Sequence, residues 1–331
     1  MWYEKLIDYG LIPEFLLRMI IRLQINNRIA VSDSNTNIIE LFSEGKISTH
    51  SIDANIQHYE VPVDFFTMIL GSKMKYSSGL ILQPDENLNE LELNMLNLVS
   101  KRANLSNNQN VLDLGCGWGS STLYYADLFP ESQFTAVSNS HFQKEYIEKE
   151  ITVRQLNNVK VIRSDINDLN FVSKFDRIIS IEMFEHMKNW TKLLNKIEQW
   201  LNPNGRLFVH YFCHKDNFYR FEQNSNSWME KYFFSGGSMP NLNVFHEIKS
   251  PFVVDNLWAE SGTNYSRTLE LWLEKLKSNK NSILNINLNN SNLNSKTFYN
   301  RWMVFILACS ELFKFNNGNE YLIGHALLKR N

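Results

Sequence analysis

The chain has few cysteines for its length. Three of its 331 residues are cysteine (Cys116, Cys213 and Cys309), and no two of them form a CxxC pair. Zinc ribbons and disulfide frameworks need closely paired or more numerous cysteines, so the sequence predicts neither. Reduced thiols in a cytoplasmic protein are the expectation that follows, because disulfides persist mainly in oxidising compartments.

The chain also lacks an excess of charge of one sign and any long apolar run. The 33 basic and 35 acidic residues leave a formal net charge of -2, which offers no general attraction to nucleic acid or anionic lipid. The longest apolar run, WMVFILAC at 302–309, is too short to span a bilayer. The segment MWYEKLIDYG at 1–10 lacks the apolar core of a secretory signal. We expect no nucleic-acid partner and no integral membrane segment, and a homodimer stays open.

Strand patterns alternate with helix patterns between residues 110 and 212. The strand segments are NVLDL, QFTAVSNS, VKVIRSD, FDRIISIE and GRLFVHYF. This alternation predicts parallel βαβ units in a doubly wound sheet. Further along the chain, residues 255–277 and 298–313 are predicted to be helices, the asparagine-rich stretch 279–294 a flexible surface loop, and EYLIGHALLKR a closing strand.

An amphipathic helix is predicted near the N-terminus, in PEFLLRMIIRLQI from Pro13. Five apolar side chains share one of its faces: Phe15, Leu16, Met19, Ile20 and Leu23. We expect this face to pack on the core or on a partner. A membrane-surface or lipid-tail role is the alternative.

The glycine-rich segment VLDLGCGWG follows the first strand of the alternating region. It places Gly115, Gly117 and Gly119 at a strand-to-helix turn, where a ligand can approach the backbone amides. NAD enzymes use GxGxxG with an acid about 20 residues on, whereas here the spacing is GxGxG and Asp113 precedes it. The segment resembles motif I of methyltransferases that use S-adenosylmethionine. In that family the loop cradles the methionine end of the cofactor, and the acid helps to hold its ammonium group.

A narrower resemblance rests on motifs that occur in order along the chain. HYEVPVDFF, MKYSSG, DLGCGWG, VSNSHFQKEYI, SIEMFEHMKNW and NYSRTLELWL resemble the cyclopropane-fatty-acid and mycolic-acid cyclopropane synthase family. FVHYFCHK, WMEKYFFSGGSMP and ELFKFNNGNEYLIGHALLKR resemble its branch of coclaurine N-methyltransferase-like enzymes. The resemblance implies a Rossmann-like α/β fold with a seven-stranded, mostly parallel sheet. It implies a helical cover over 1–105 and a methyltransferase domain over 106–331, with a lid inserted at about 213–250.

The resemblance also implies which residues hold S-adenosylmethionine. They are Tyr76, Ser77, Asp113, Gly115, Gly117, Asn139, Gln143, Asp165 and Ile166. Asn139 and Gln143 would bind the ribose through amides, and Asp165 with Ile166 would contact the adenine. For Asp165 the competing interpretation is a helix N-cap.

The cyclopropane synthases of this family hold a bicarbonate ion, which acts as a base. The corresponding positions here are Ser78, Glu185, His210, Phe212 and Tyr265. In those enzymes the first position is a cysteine and the fourth an isoleucine, so this chain differs from them at two of the five positions. We interpret the departures as the same cavity reused without a firmly defined ion. A family cysteine matches Cys309, which lies in an apolar segment and reads more simply as a small buried hydrophobe.

A charge cluster in SIEMFEHMKNW points to proton chemistry. An amine must lose its proton before its lone pair can accept a methyl group, and alkylamines are mostly protonated at neutral pH. Glu185 and His186 follow the fourth strand, at the sheet edge where ligands of such folds bind, and are the predicted catalytic pair. Glu60 is a second candidate acid, with a surface ion pair as its alternative. Glu182 is expected to orient backbone or cofactor.

A metal site is the weakest interpretation of the same cluster. Glu182 and His186 lie four residues apart, but there is no HExxH pair and no third ligand nearby. We predict no metal and a cytoplasmic S-adenosylmethionine-dependent methyltransferase that N-methylates a small amine. The alternatives are transfer to unsaturated acyl chains of phospholipids, an NAD-dependent oxidoreductase, and a non-catalytic binding protein.

Overall fold

A seven-stranded sheet lies at the centre of the computed structural model, which describes residues 2–30, 38–49, 61–221, 228–288 and 293–331. The strand order is β3-β2-β1-β4-β5-β9-β8. The pairs from β3 to β5 are parallel, whereas β9 runs antiparallel to both β5 and β8. The predicted Rossmann-like α/β class, with its mostly parallel sheet of seven strands, is confirmed.

Strands β1 to β5 and β9 lie where the sequence predicted them, whereas β6, β7 and β8 were not predicted as strands. Their bounds are β1 Asn110–Leu114, β2 Gln133–Ser138, β3 Val159–Arg163, β4 Phe175–Ile181, β5 Leu201–His214, β6 Tyr219–Arg220, β7 Ser238–Met239, β8 Phe252–Ser261 and β9 Tyr321–Arg330. β6 and β7 pair with each other in a separate ribbon. This ribbon lies inside the stretch predicted as an inserted lid.

Thirteen helices of the described ranges surround the sheet or cover its edge. They are α1 Trp2–Asp8, α2 Glu14–Ala30, α3 Ile38–Leu41, α4 Val63–Ile69, α5 Leu88–Arg102, α6 Ser120–Leu128, α7 His141–Val153, α8 Trp190–Trp200, α9 Trp228–Tyr232, α10 Val244–Glu247, α11 Gly262–Ser278, α12 Lys280–Leu284 and α13 Ser295–Gly318. A 3-10 turn spans Phe184–His186. Within these ranges no helix is both long enough and apolar enough to cross a bilayer.

The helix predicted over 255–277 is wrong in its first third. Residues up to Ser261 belong to strand β8, and α11 begins at Gly262. Ser261 caps the helix by accepting a hydrogen bond from the backbone of Thr263. A Cβ on Gly262 would lie 2.1 Å from the carbonyl oxygen of Tyr321, so the close approach of two backbones fixes the boundary there. Part of the predicted loop 279–294 is also helical, because α12 buries Ile283.

Helix α2 turns a different face to the protein from the one predicted. Phe15, Met19 and Leu23 are all more than half exposed, while Leu17 and Ile25 are buried. The prediction that the former face packs on the core is therefore wrong. The helix is apolar on more than one side, and ion pairs described below decide which side faces inward.

Ion pairs hold α2 against α11 and α13. The Arg18 guanidinium lies 2.7 Å from Glu270 and 2.8 Å from Glu311. Arg22 contacts the same Glu311 carboxylate at 2.5 Å. Burial favours a higher pKa for Glu311, but the hydrogen bonds from the two arginines outweigh it and lower the pKa. The charged anchor orients the inner face of α2 toward the cavity that is described next.

Candidate active site

The glycine loop connects β1 to α6 through three left-handed residues. The φ angles are +81° at Gly115, +53° at Gly117 and +77° at Gly119, which residues with a Cβ rarely adopt. A Cβ on Gly115 would lie 2.7 Å from the Met183 side chain, whereas one on Gly117 would meet no atom within 4 Å. The loop therefore packs tightly on one side and leaves its backbone open to a cavity on the other.

This first cavity brings together eight of the nine residues predicted to bind the cofactor. They are Tyr76, Ser77, Gly115, Gly117, Asn139, Gln143, Asp165 and Ile166. Asp113 does not line it. Its carboxylate accepts hydrogen bonds from Ser121 at 2.5 Å and Thr122 at 2.6 Å, under the start of α6, and burial raises its pKa.

Gln143, which lines this cavity, carries a buried donor without a partner in the described part of the chain. Its Oε1 accepts from the Ser138 hydroxyl at 2.6 Å, while its Nε2 makes no hydrogen bond. An unmet buried donor costs free energy, so an acceptor from a ligand is expected there. A ribose hydroxyl supplies such an acceptor. Asp165 holds the adjacent turn, accepting from the Asn167 backbone at 2.8 Å.

A second cavity of about 630 Å³ adjoins the first. Tyr76, Glu182 and His186 line both cavities. The second cavity is walled mainly by apolar and aromatic side chains from α1, α2, α11, α13 and the segments 219–221 and 228–239, and its volume lies within the range of small-molecule sites. Leu17 and Ile25 of α2 belong to this wall. The covering helices thus form part of a substrate-sized pocket.

Glu182 lies where the two cavities meet, and three donors hold its carboxylate. They are the Tyr265 hydroxyl at 2.6 Å, the Ser78 backbone at 3.0 Å and His210 Nε2 at 3.1 Å. Burial raises the pKa of Glu182, and the nearby Lys75 ammonium opposes that effect. Burial also lowers the pKa of Lys75 to about 8. The carboxylate combines burial, fixed orientation and a higher proton affinity than an exposed glutamate.

Glu185 faces away from both cavities. Its Oε1 accepts from the Phe212 backbone at 2.7 Å, and its buried Oε2 has no hydrogen-bond partner among the described residues. Burial, and then the charge of Glu182, raise its pKa well above the usual value. His186, its predicted partner, lies at the junction of the cavities. Glu60 lies outside the described residues.

The backbone explains why Glu182 and Glu185 point in different directions. Glu182 follows β4 directly and has a left-handed φ of +49°, while Glu185 belongs to the 3-10 turn Phe184–His186. Side-chain direction after a strand end depends on such dihedrals, which spacing alone does not reveal. The sequence feature that could have indicated Glu182 is its position as the first residue after the strand.

Two further predicted positions lie on the apolar cavity. Phe212 contributes an aromatic ring to its wall, and Cys309 lies on the same wall. Burial raises the pKa of the Cys309 thiol to about 12, which keeps it protonated at neutral pH. A protonated thiol is a poor nucleophile or base.

The family comparison covers most of the chain. Residues 47–322 match the family model described as mycolic acid cyclopropane synthetase. The chain belongs to this family. (S)-Coclaurine N-methyltransferase of Thalictrum flavum subsp. glaucum is 36% identical, over 98% of this chain and 94% of the relative. Cyclopropane-fatty-acyl-phospholipid synthase of Escherichia coli (strain K12) is 29% identical, over 66% of this chain and 55% of that enzyme.

Solved structures of the family share the fold. A coclaurine N-methyltransferase bound to N-methylheliamine and SAH superposes with a TM-score of 0.94 and 35% identity, covering 99% of this chain and 98% of that one. A cyclopropane synthase from Mycobacterium tuberculosis gives a TM-score of 0.71 at 22% identity, over 86% of this chain and 99% of that one, which shows the fold alone. This family member is an S-adenosylmethionine-dependent methyltransferase. The open glycine loop and the unmet Gln143 donor fit that cofactor.

Proposed function

We propose that this enzyme N-methylates a small amine with an apolar or aromatic body, and that Glu182 receives the nitrogen. The observation that carries the proposal is the buried carboxylate of Glu182 at the junction of two cavities. One cavity has the donors and open backbone that suit the cofactor, and the other has the size and apolar walls that suit an organic acceptor. Relatives named as coclaurine and pavine N-methyltransferases support an amine acceptor.

Glu182 can bind the acceptor as an ammonium ion and then take its proton. Charge-assisted hydrogen bonds are about twice as strong as neutral ones, so a carboxylate in an apolar pocket selects a cation. Burial lowers the pKa of an amine and raises that of a carboxylate, which brings the two values together. Proton transfer from nitrogen to Glu182 then exposes the lone pair.

His186 lies at the same junction and can relay the proton from Glu182 toward solvent. A histidine accepts and releases protons near neutral pH. Bound S-adenosylmethionine supplies the electrophilic methyl group. The residues of this chain contribute the alignment, because Tyr76 and Glu182 border both cavities and fix where the nitrogen lies relative to the cofactor.

Transfer to an unsaturated acyl chain is the second candidate. The apolar walls of the second cavity favour it, and a cyclopropane-fatty-acyl-phospholipid synthase is among the relatives. Against it, an alkene has no charge for Glu182 to recognise. Ser78 and Phe212 also replace the cysteine and isoleucine that the resemblance implies for the ion site of the cyclopropane synthases.

A labelled-methyl transfer screen tests the proposal. Purified enzyme is incubated with S-adenosylmethionine carrying an isotopic methyl group and with two panels, one of primary to tertiary amines with aromatic or aliphatic bodies and one of unsaturated phospholipids. Label is expected in amines, most of all in those with bulky apolar bodies. Label found only in methylated or cyclopropanated acyl chains would overturn the amine proposal.

A further inference from the structure

A row of side chains runs across four neighbouring strands of the sheet at the level of the active site. Ile181 of β4 is in register with His210 of β5, His210 with His325 of β9, and His325 with Trp258 of β8. Both histidines are completely buried. Ile181, which is in register with His210, directly precedes Glu182. Neither cofactor binding nor the acceptor pocket explains two buried imidazoles on adjacent strands at this position.

Hydrogen bonds connect this row into a chain that starts at Glu182. His210 Nε2 lies 3.1 Å from Glu182 Oε1, and His210 Nδ1 lies 2.9 Å from His325 Nε2. His325 Nδ1 lies 2.7 Å from Nη1 of Arg102, at the end of α5. Arg102 Nη2 in turn donates to Glu260 at 2.6 Å. This series of hydrogen bonds ends at the Arg102 and Glu260 side chains, which are 14% and 21% exposed.

Because arginine can only donate, it fixes which atom donates and which accepts in each hydrogen bond between Arg102 and Glu182. A guanidinium has only donors and stays protonated in proteins, so His325 Nδ1 must accept. A neutral imidazole has one N–H, so His325 carries its hydrogen on Nε2 and donates it to His210 Nδ1. His210 must then carry its own hydrogen on Nε2 and donate it to Glu182. Burial lowers the pKa of both histidines well below the usual value, which agrees with neutral rings.

We propose that Arg102, His325 and His210 form a one-way hydrogen-bond relay that fixes both histidine tautomers and holds Glu182 as a correctly oriented carboxylate for the incoming amine. Arg102 and His325 are positioning residues, because they act on the substrate only through Glu182. The inference rests on the proposed function, in which Glu182 receives the nitrogen. The Trp258 ring supports the arrangement, since the Arg102 guanidinium lies 4.9 Å from its centroid.

The same direction means that the relay does not conduct the proton of the amine to the surface. From Arg102 Nη1 through His325 and His210, every N–H points toward Glu182, and the far end is a guanidinium that does not accept a proton. The proton must therefore leave Glu182 on its cavity side, where His186 lies. Other titratable or charged groups interact with Glu182 and set its proton affinity together with the relay: Lys75, Glu185, His186, Tyr265 and Cys309.

Nitrogen NMR of the histidine rings in the wild-type enzyme tests the relay without any variant. With ¹⁵N-labelled histidine and S-adenosylhomocysteine bound, we expect both His210 and His325 to be neutral, protonated on Nε2 and unprotonated on Nδ1. Resonances are assigned with His210→Gln and His325→Gln. A hydrogen on Nδ1 of either ring, or a cationic ring at neutral pH, would overturn the inference.

Kinetics of Arg102→Met test the effect on Glu182. Without the guanidinium His325 is free to change tautomer, so His210 no longer has to donate to Glu182. Loss of one hydrogen bond to a charged group predicts a roughly tenfold fall in kcat/KM for the amine. The acid limb of its pH profile should move to higher pH, because the carboxylate loses a donor. Affinity for S-adenosylhomocysteine should stay unchanged.

Four variants control this experiment. Arg102→Lys keeps a donor-only cation and should recover most of the rate. His325→Gln keeps one acceptor and one donor and should also recover it, while His325→Leu should not. Arg177→Met removes another partly buried guanidinium, which donates to the Ala103 carbonyl just after α5 but lies outside the relay, and should leave the pH profile unchanged.

The outcomes separate the relay from the proposed function. An unchanged pH profile in Arg102→Met, or an equal shift in Arg177→Met, would overturn the relay even if Glu182→Gln abolishes turnover. Full turnover by Glu182→Gln would overturn the role proposed for Glu182, and the ring tautomers would then still decide whether the relay exists.

Discussion

Replacing Glu182 by glutamine is the most informative single change in this enzyme. The amide has nearly the same shape, so it can still accept hydrogen bonds from the Ser78 backbone and His210 through Oε1. It has no charge for an ammonium ion and no proton affinity near neutral pH. It also presents a donor to the Tyr265 hydroxyl, which now donates at 2.6 Å.

The expected loss follows from the two roles of the carboxylate. General acid–base catalysis contributes typically about 10²- to 10⁴-fold, so kcat for the amine should fall by about that factor in Glu182→Gln. Because burial raises the pKa of Glu182, the acid limb of the wild-type pH profile should lie at higher pH than the titration of an exposed glutamate, and activity should rise with pH through that limb. This limb should be absent from the residual activity of the variant.

Glu185→Gln is the matched control, because it is the same isosteric change three residues away. Its Oε1 can still accept from the Phe212 backbone, and the carboxylate lines neither cavity. We expect kcat within a few-fold of wild type, whereas the catalytic role that the sequence indicated for Glu185 would produce a steep loss. The assay is methyl transfer with one amine identified in the screen, with S-adenosylhomocysteine affinity measured for each variant.

Stability measurements show whether a loss of rate comes from misfolding of the variant rather than from the loss of the carboxylate. A carboxyl whose pKa is raised on folding destabilises the folded state at neutral pH, so neutral glutamine should leave the Tm of Glu182→Gln unchanged or higher. A normal rate in Glu182→Gln, or an equal loss of rate in both variants with both folded, would refute the reasoning.

Three further changes test the cofactor site, the helical cover and the fold. Gln143→Leu removes the unmet buried donor beside the first cavity and should weaken S-adenosylhomocysteine binding by roughly fivefold in calorimetry, since about 1 kcal/mol per hydrogen bond is typical; unchanged affinity would contradict the ribose assignment. Arg18→Met leaves the buried Glu311 with one arginine, so the free energy of unfolding should fall by about 1–3 kcal/mol and KM for the amine should rise; a rise in the Kd of S-adenosylhomocysteine instead would contradict a role confined to the cover. Gly262→Ala forces a Cβ to 2.1 Å from the Tyr321 carbonyl and should lower stability by about 1–3 kcal/mol in denaturant unfolding, whereas an unchanged midpoint would mean that the strand and helix separate easily.

The sheet was predictable because its signals are local. Each parallel strand is a short apolar run followed by a helix pattern, and the glycine loop follows β1 directly. The segment before Gly262 was mispredicted as helix because its alternation of apolar and polar residues is weak, and pairing with β9 rather than local preference makes it a strand.

The orientation of α2 shows where pattern reading fails. Leu17 and Ile25 face inward, although Phe15 and Met19 are equally apolar and are exposed. A helix with apolar residues on several sides has no preferred face from its own sequence. The choice depends on where Arg18 meets Glu270 and Glu311, which lie more than 250 positions away along the chain.

The sequence predicted the region of the candidate site better than the directions and contacts of its individual side chains. Motif resemblance predicted nine cofactor-binding residues, and eight of them line the first cavity. The position of Glu182 at the junction of the cavities depends on one left-handed φ angle, and the proposed relay through Arg102 depends on register between strands separated by more than 100 residues. No spacing rule encodes either.

Binding of an amine and of its carbon isostere to the complex with S-adenosylhomocysteine tests the central claim most directly. The two ligands share the apolar body and differ only in the nitrogen, so their difference in affinity isolates recognition by Glu182. We predict that the amine binds wild type at least roughly tenfold more tightly than the isostere, and that this advantage disappears in Glu182→Gln. Equal affinity of the two ligands for wild type, or an advantage that survives in Glu182→Gln, would contradict the account.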